Sequence, residues 1–283
     1  MTATVVDGRA IAAKMGGLVR IELEKLRVKP RLAILCPDFP VARMYMGAQK
    51  RLADSLGIEV EALIVTVGTD QSYVESAVRF WNSDRRTHGI FILQPFLPEI
   101  DLARLTALID PIKDIECIHP YDRRLSHFSG KLVGSCTALA VMEILESSGV
   151  YLYGREVVVV GNSKIVGTPL ALLLLERFAT VTVCHKATAE VGNLLEHIAR
   201  AEILVVAVGV PELIKGDSIR QNAVVVDVGV NHVDGRVVGD VDFAGALDRV
   251  QLITPAIGGV GPVTAMVGMR QLVTACRLQF EGR

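Results

Sequence analysis

The chain has 283 residues, 51% of them hydrophobic and 22% charged, and its 30 basic and 31 acidic residues leave a formal charge of -1. That apolar content excludes global disorder. The charge balance gives no electrostatic reason for a nucleic-acid or anionic-membrane partner.

At roughly 100–200 residues per domain, one large or two modest domains are expected. The longest apolar runs (170–175 and 203–208) fall far short of the roughly 18 residues a membrane span needs. The first fourteen residues carry an early acid and no apolar block, so no secretory leader is expected. The five cysteines are scattered, with no CxxC pair. Free thiols in a reducing cytoplasm are the simplest expectation, with no zinc site and no disulfide framework. Aromatic residues make up only 5% of the chain, which counts against a base-stacking surface.

In chain order, residues 5–26 carry apolar side chains at near-helical spacing. Residues 31–36 (RLAILC) read as a buried strand, and 41–56 as a helix ended by Gly57. A strand at 58–65, a helix at 71–81, a strand at 89–93 and a short helix at 102–109 follow. This βαβαβ order implies a parallel sheet covered on both faces. The polar stretch 119–134 reads as a connection between lobes, and 137–148 as a helix. A second alternation then places strands at 156–160, 181–185, 203–208 and 223–229, with a fifth at 250–254. Helices are expected between them at 169–177, 189–200 and 211–220, with a last one at 263–279. Strands recurring about every 20–25 residues suit a doubly wound nucleotide-binding sheet. The expected architecture is therefore two α/β lobes. The first comprises 1–120 plus 263–283, made discontinuous by the last helix. The second, 121–262, is a Rossmann-type doubly wound parallel sheet.

After the strand 156–160 comes GNSKIVGTPL. Gly161 ends the strand, Gly167 precedes the helix, and Pro169 suits a first helical turn. A glycine turn feeding a helix N-terminus offers N–H groups and partial positive charge to a pyrophosphate. The spacing here is G-x-S-x-x-x-G, so a plain tight turn is the competing reading, and its place at the first strand of the alternation favours phosphate binding. The next strand ends CHKAT, with Lys186 and no acid where NAD-binding sheets commonly hold the ribose hydroxyls. A cation there favours the 2′-phosphate of NADP. A solvated surface lysine, with NAD as cofactor, remains the alternative.

Several segments together resemble the bifunctional methylenetetrahydrofolate dehydrogenase/methenyltetrahydrofolate cyclohydrolase family. They are DGRAIAAKM (7–15), the Tyr45 helix, DPIKDIECIHP (110–120), VVVVGNSKIVGTPLALLL (157–174), VTVCHKAT (181–188), ILVVAVGVPELI (203–214), VVVDVGVN (224–231), GRVVGDVDF (235–243) and TPAIGGVGPVTAMV (254–267). The last is the most specific.

The resemblance implies an active-site cleft between the lobes that binds a one-carbon derivative of tetrahydrofolate, together with NADP, in a cytoplasmic homodimer. It implies cofactor binding by Gly161, Asn162, Ser163, Ile165, Gly167, His185, Lys186, Thr188, Gly209 and Val230. For the folate it implies Leu93, Gln94, Glu116, Ile257, Gly258, Gly259, Val260 and Gly261, with Tyr45 and Gln49 at the catalytic position. No metal is implied.

The departures from the family pattern carry information. Members present Tyr-x-x-x-Lys, and the lysine serves the addition of water. Here the helix reads Tyr45-Met-Gly-Ala-Gln49, two residues four apart on one face. Lys50 lies about 100° further round. An amide cannot cycle between ammonium and amine. Ala42 replaces a serine, Leu93 a glutamine, Glu116 an aspartate (DIECIHP for DVDGFHP), Ile257 a proline, and Asn162 an arginine that some members carry. The expectation is a dehydrogenase whose cyclohydrolase activity is weak or absent. The alternatives are a diverged paralogue that binds folate or dinucleotide without the reaction, and an enzyme acting on another one-carbon substrate. Asp227 is expected to serve turn hydrogen bonds, and Cys136 and Cys184 to be core thiols.

Overall fold

The computed structural model describes residues 2–120 and 134–281. Most of the expected connection at 119–134 therefore lies outside the described residues. The chain forms two compact units, Met1–Lys14 with Thr137–Thr264, and Met15–Cys136 with Ala265–Arg283.

The unit containing most of the N-terminal half is built on three parallel strands in the order β3-β2-β4: β2 (Arg31–Pro37), β3 (Glu59–Val65) and β4 (Gly89–Ile92). The central strand β2 is apolar along nearly its whole length because it is covered on both faces and hydrogen-bonded on both edges. Helix α2 (Pro40–Ser55) joins β2 to β3. Pro40 opens it, where a missing N–H costs nothing, and Gly57, at φ 73°, follows its end. Helix α3 (Gln71–Ser83) joins β3 to β4, and the short α4 (Leu102–Thr106) follows, with Asp101 accepting from the Arg104 N–H at its start.

The other unit holds a six-stranded, wholly parallel sheet in the order β1-β11-β8-β7-β5-β6. Its strands are β1 (Thr4–Val5), β5 (Glu156–Val160), β6 (Thr180–Cys184), β7 (Ile203–Val206), β8 (Val224–Asp227) and β11 (Leu252–Ile253). Valine and isoleucine dominate the central strands, which are buried except at Glu156, the first residue of β5. Helices α6 (Gly167–Glu176), α7 (Lys186–Glu190), α8 (Leu194–Arg200) and α9 (Phe243–Ala246) cover it. Three further helices are α1 (Gly8–Glu24), α5 (Cys136–Ser147) and α10 (Val260–Glu281).

Four expectations need correction. Residues 211–220 are not a helix. The Glu212 and Ile214 amides donate instead to the carbonyls of Gly239 and Asp240, Glu212 is left-handed at φ 47°, and only a single 3₁₀ turn forms at Gly216–Ser218. The expected helix at 189–200 is two helices, α7 and α8, separated by Gly192 at φ 83°. The strand at 250–254 is the two-residue β11, which pairs with β1. That pairing draws Met1–Lys14 into the six-stranded unit, although sequence order suggested the other lobe. A small antiparallel hairpin also went unforeseen: β9 (Asn231–Val233) and β10 (Arg236–Val238), turned by Asp234 and Gly235, both with positive φ.

Candidate active site

In the three-stranded unit, α2 presents Tyr45 and Gln49 on one face, as four-residue spacing requires. Gln49 is buried at 3% exposure and Lys50 is solvent-exposed. The adjacent lysine is therefore no substitute for the residue expected at 49. The Tyr45 hydroxyl lies beside the Gln49 side-chain amide. Burial, with the Glu116 carboxyl and the Cys136 thiol close by, pushes the tyrosine up to about 12, while the Gln49 amide acts in the opposite direction. It stays a neutral phenol throughout the physiological range.

Glu116 comes from a short loop held from several sides. Asp110 accepts from the Ile112 N–H (3.1 Å) and starts a 3₁₀ turn, Pro111–Lys113. Lys113 is buried, and its ammonium donates to three carbonyls at the end of α3, those of Trp81, Asn82 and Asp84, at 2.8, 2.8 and 2.9 Å. Asp114 is buried and accepts from the N–H groups of Glu116 (3.2 Å) and His119 (2.6 Å). Cys117 follows Glu116 at φ 58°, where the family motif has glycine. Burial raises the Glu116 carboxyl well above the usual carboxylate range, Asp114 adds to the rise, and a backbone hydrogen bond from Ile92 opposes it. Burial likewise pushes the Cys136 thiol up, so it is no ready thiolate. Leu93 is buried, with its N–H given to the Leu35 carbonyl, while Gln94 faces solvent and precedes Pro95 through a cis bond.

In the six-stranded unit, Gly161 (φ 117°) leaves β5 and Gly167 opens α6. A Cβ on Gly167 would overlap the Gly161 carbonyl oxygen, and one on Gly161 would overlap that of Ala207. Glycine at both positions thus lets strand and helix close on each other. The helix-terminal amides are not open, as the sequence suggested. The Ser163 hydroxyl accepts from Val166 (3.1 Å) and Gly167 (3.5 Å), and the Ser163 carbonyl from Thr168 (3.1 Å). Ser163 therefore fixes the turn from within, and Asn162, Ser163 and Lys164 form its solvent-facing rim, with Ile165 half-buried behind them. His185 and Lys186 are exposed at the end of β6. Thr188 accepts from the His185 N–H (3.2 Å), and the Lys186 side chain, 90% exposed, reaches Glu190 at 3.6 Å. No acidic residue occupies the first turn of α7.

Two buried aspartates organise the ends of β7 and β8. Asp240, at 0% exposure, accepts from the amides of Val208 (2.7 Å) and Gly209 (2.9 Å) and from the Asn231 side chain (2.9 Å). Asp227 accepts from Gly229 (2.9 Å), Asp240 (3.1 Å) and Val241 (2.9 Å), the turn role expected of it. Val230 beside them is exposed. In the final turn, Ile257 is 61% exposed, Gly258 has φ 83°, and its carbonyl accepts from Gly8 (2.9 Å). A Cβ on Gly259 would overlap the Pro255 carbonyl oxygen. Val260 is buried and opens α10 with Gly261.

Tyr45, Gln49 and Glu116 are thus brought together in one unit, and the expected cofactor residues gather at the carboxyl ends of strands in the other. Sequence reasoning missed Asp114, Asp240 and Gln271 as organisers. Asp114 and Asp240 stood in quoted motifs, DIECIHP and GDVDF, but the partners of a buried aspartate are backbone amides that no spacing reveals. Among the described residues, no helix is long and apolar enough to cross a membrane.

Residues 6–116 match the catalytic domain of tetrahydrofolate dehydrogenase/cyclohydrolase, and residues 135–280 match that family's NAD(P)-binding domain. The chain is 38% identical to a bifunctional protein FolD from Halothermothrix orenii, over 96% of this chain and 97% of that one. It is 37% identical to a second such protein from Geobacter sulfurreducens, over 99% of both. Among solved structures, the Trypanosoma brucei methylenetetrahydrofolate dehydrogenase-cyclohydrolase, complexed with NADP and an inhibitor, superposes with a TM-score of 0.92 at 33% identity, covering 98% of each chain. The Campylobacter jejuni bifunctional enzyme also gives 0.92, at 29% identity over 97% of this chain and 99% of that one. With both halves matched in order and nearly the whole length aligned, the chain belongs to the tetrahydrofolate dehydrogenase/cyclohydrolase family.

Proposed function

We propose that the chain oxidises 5,10-methylenetetrahydrofolate to 5,10-methenyltetrahydrofolate with NADP, and that it performs the following hydrolysis weakly or not at all. The observation that carries this reading is the buried Gln49 amide on the helix face of Tyr45, whose hydroxyl lies beside Glu116. It puts a neutral amide and a neutral phenol where the water-adding step needs a group that takes and returns a proton.

The residues of the six-stranded unit suit a dinucleotide. The glycine pair closes strand onto helix, the rim at Asn162–Lys164 is open, and the end of β6 offers Lys186, with no acid in the first turn of α7 and Glu190 one turn on as its exposed partner. NADP, when bound, supplies the hydride acceptor. Gly161 and Ser163 shape the diphosphate turn, Lys186 and Thr188 border the ribose, and Gly209 and Val230 lie on the loops that Asp240 fixes. Glu116 grips the pterin's donor groups, and Tyr45 packs on and orients the folate. Hydride loss is driven by the folate nitrogen lone pair, so this step asks the protein for geometry more than for proton transfer.

The test is NADPH formation from methylenetetrahydrofolate by purified protein, followed by hydrolysis of supplied methenyltetrahydrofolate. Turnover in the first assay with slow hydrolysis in the second is expected, and no turnover with either nicotinamide overturns the reading. Gln49→Lys should raise hydrolysis by about a hundredfold or more, the lower end of the range for a positioned acid–base group. An unchanged rate would show that the amide is not what limits water addition.

The same reading makes the chain a cytoplasmic homodimer joined through the six-stranded unit. There β6 is an edge strand, and Leu175 and Phe178 are exposed beside it. Light scattering should return twice 30.6 kDa, and Phe178→Glu should shift the protein toward monomer.

A further inference from the structure

Gln271 lies on α10, is buried, and uses its side-chain amide completely. Its nitrogen donates to the carbonyls of Ile115 and Gly134, both at 2.8 Å, and approaches the Cys136 sulfur at 3.1 Å. Its oxygen accepts from the Gly134 N–H at 3.2 Å. The Cys136 thiol donates to the same Ile115 carbonyl at 3.2 Å. One side chain therefore ties the loop carrying Glu116 to residues 134–136. The carbonyl it holds belongs to the peptide unit whose N–H is that of Glu116, and that N–H is itself fixed by Asp114 at 3.2 Å. The peptide plane entering Glu116 is clamped at both polar ends, which sets where the Glu116 side chain starts.

A buried glutamine with four partners is costlier to keep than an apolar residue if only packing were needed, because each bond must be satisfied to offset desolvation. Leucine or methionine would fill the space without that demand. We propose that Gln271 is a positioning residue for substrate recognition: by clamping the Ile115 carbonyl it aims the Glu116 carboxyl at the donor groups of the pterin. This rests on the folate reading of Glu116 given above. Gln271 itself touches no substrate. It acts through the peptide it holds.

The experiment is calorimetric titration of tetrahydrofolate, and separately of NADP, into the wild-type chain, Gln271→Leu, Glu116→Gln and the double variant. Each single substitution should weaken tetrahydrofolate binding by about tenfold, the scale of one misplaced hydrogen bond to a buried group. NADP affinity should stay within about twofold in all four proteins, a margin of under half a kcal/mol. The double variant should bind tetrahydrofolate no more than about threefold weaker than Glu116→Gln alone, because Gln271 has nothing left to aim.

An additive double variant, about a hundredfold weaker than wild type, would overturn the proposal, since independent effects multiply. Unchanged tetrahydrofolate affinity in Gln271→Leu, or an equal loss of NADP affinity, would overturn it too. If Gln271→Leu fails to fold, Gln271→Asn keeps the amide one methylene short and enters the same cycle, with the same non-additivity expected. A wild-type chain that binds tetrahydrofolate but does not turn over methylenetetrahydrofolate sinks the dehydrogenase reading and leaves this one standing, whereas a chain that binds no tetrahydrofolate sinks both.

Discussion

A neutral amide at position 49 changes the electrostatics of every group around it. The Tyr45 hydroxyl lies beside Gln49 and Glu116, Asp114 lies beside Glu116, and burial is the largest cause raising both Tyr45 and Glu116. An ammonium in place of the amide would favour the charged carboxylate and pull Glu116 back toward its usual range. In Gln49→Lys, the pH dependence of tetrahydrofolate binding should therefore move to lower pH. Calorimetry across a pH series reads this directly.

Asp227 gives a second prediction at this scale. Burial is the largest cause lifting its carboxyl from the ordinary 3.8 to about 6, Asp240 adds to it, and three backbone N–H groups pull the other way. A group whose pKa is raised on folding contributes stability below its unfolded value and loses it as pH climbs through the folded value. The contribution of Asp227 is thus whole below about pH 4 and gone above about pH 6, a swing of about 3 kcal/mol. Chemical denaturation between those limits should show a shallower slope of stability against pH in Asp227→Asn than in wild type.

Among the elements, the end of α3 shows how a single charge substitutes for a cap. Lys113 brings its ammonium to three helix-terminal carbonyls and stays buried. Burial lowers its pKa, while Asp110 and Asp84 favour the charged form. Lys113→Met keeps the length but leaves those carbonyls without their donor, and should cost about 2–4 kcal/mol. A denaturant midpoint that falls at constant slope would show it. What could be read from sequence was where apolar periodicity dominates. The valine-rich strands and the helices facing them followed their patterns, as did Tyr45 and Gln49, whose shared face is plain helix arithmetic. Residues 211–220 misled because their spacing suits a helix, while their amides find better partners at Gly239 and Asp240, thirty positions away at most and invisible locally. The hairpin was legible in principle. Asp234-Gly235 is a strong turn signal, but the segments beside it, Asn231–Val233 and Arg236–Val238, are too short and too polar to show a strand pattern. Gln271 left no trace in any pattern, since an i,i+4 reading of α10 cannot say which polar side chain is turned inward.

Taken whole, the chain divides its tasks between two parallel-sheet units, and substitutions should respect the division. Gly167→Ala forces a Cβ into the Gly161 carbonyl, and should weaken NADP binding by more than about tenfold while sparing tetrahydrofolate affinity, since a βα turn that cannot close loses its diphosphate. Paired calorimetric titrations check both halves of that statement. All five cysteines are buried and none forms a disulfide, with Cys184 in the six-stranded unit and Cys36, Cys117, Cys136 and Cys276 in the other. None can meet a maleimide until its surroundings open. The native chain therefore carries a built-in clock for each unit. The rate at which an alkylating reagent tags Cys184, set against the rate for Cys36, reports which half breathes first and which one a bound nucleotide stills.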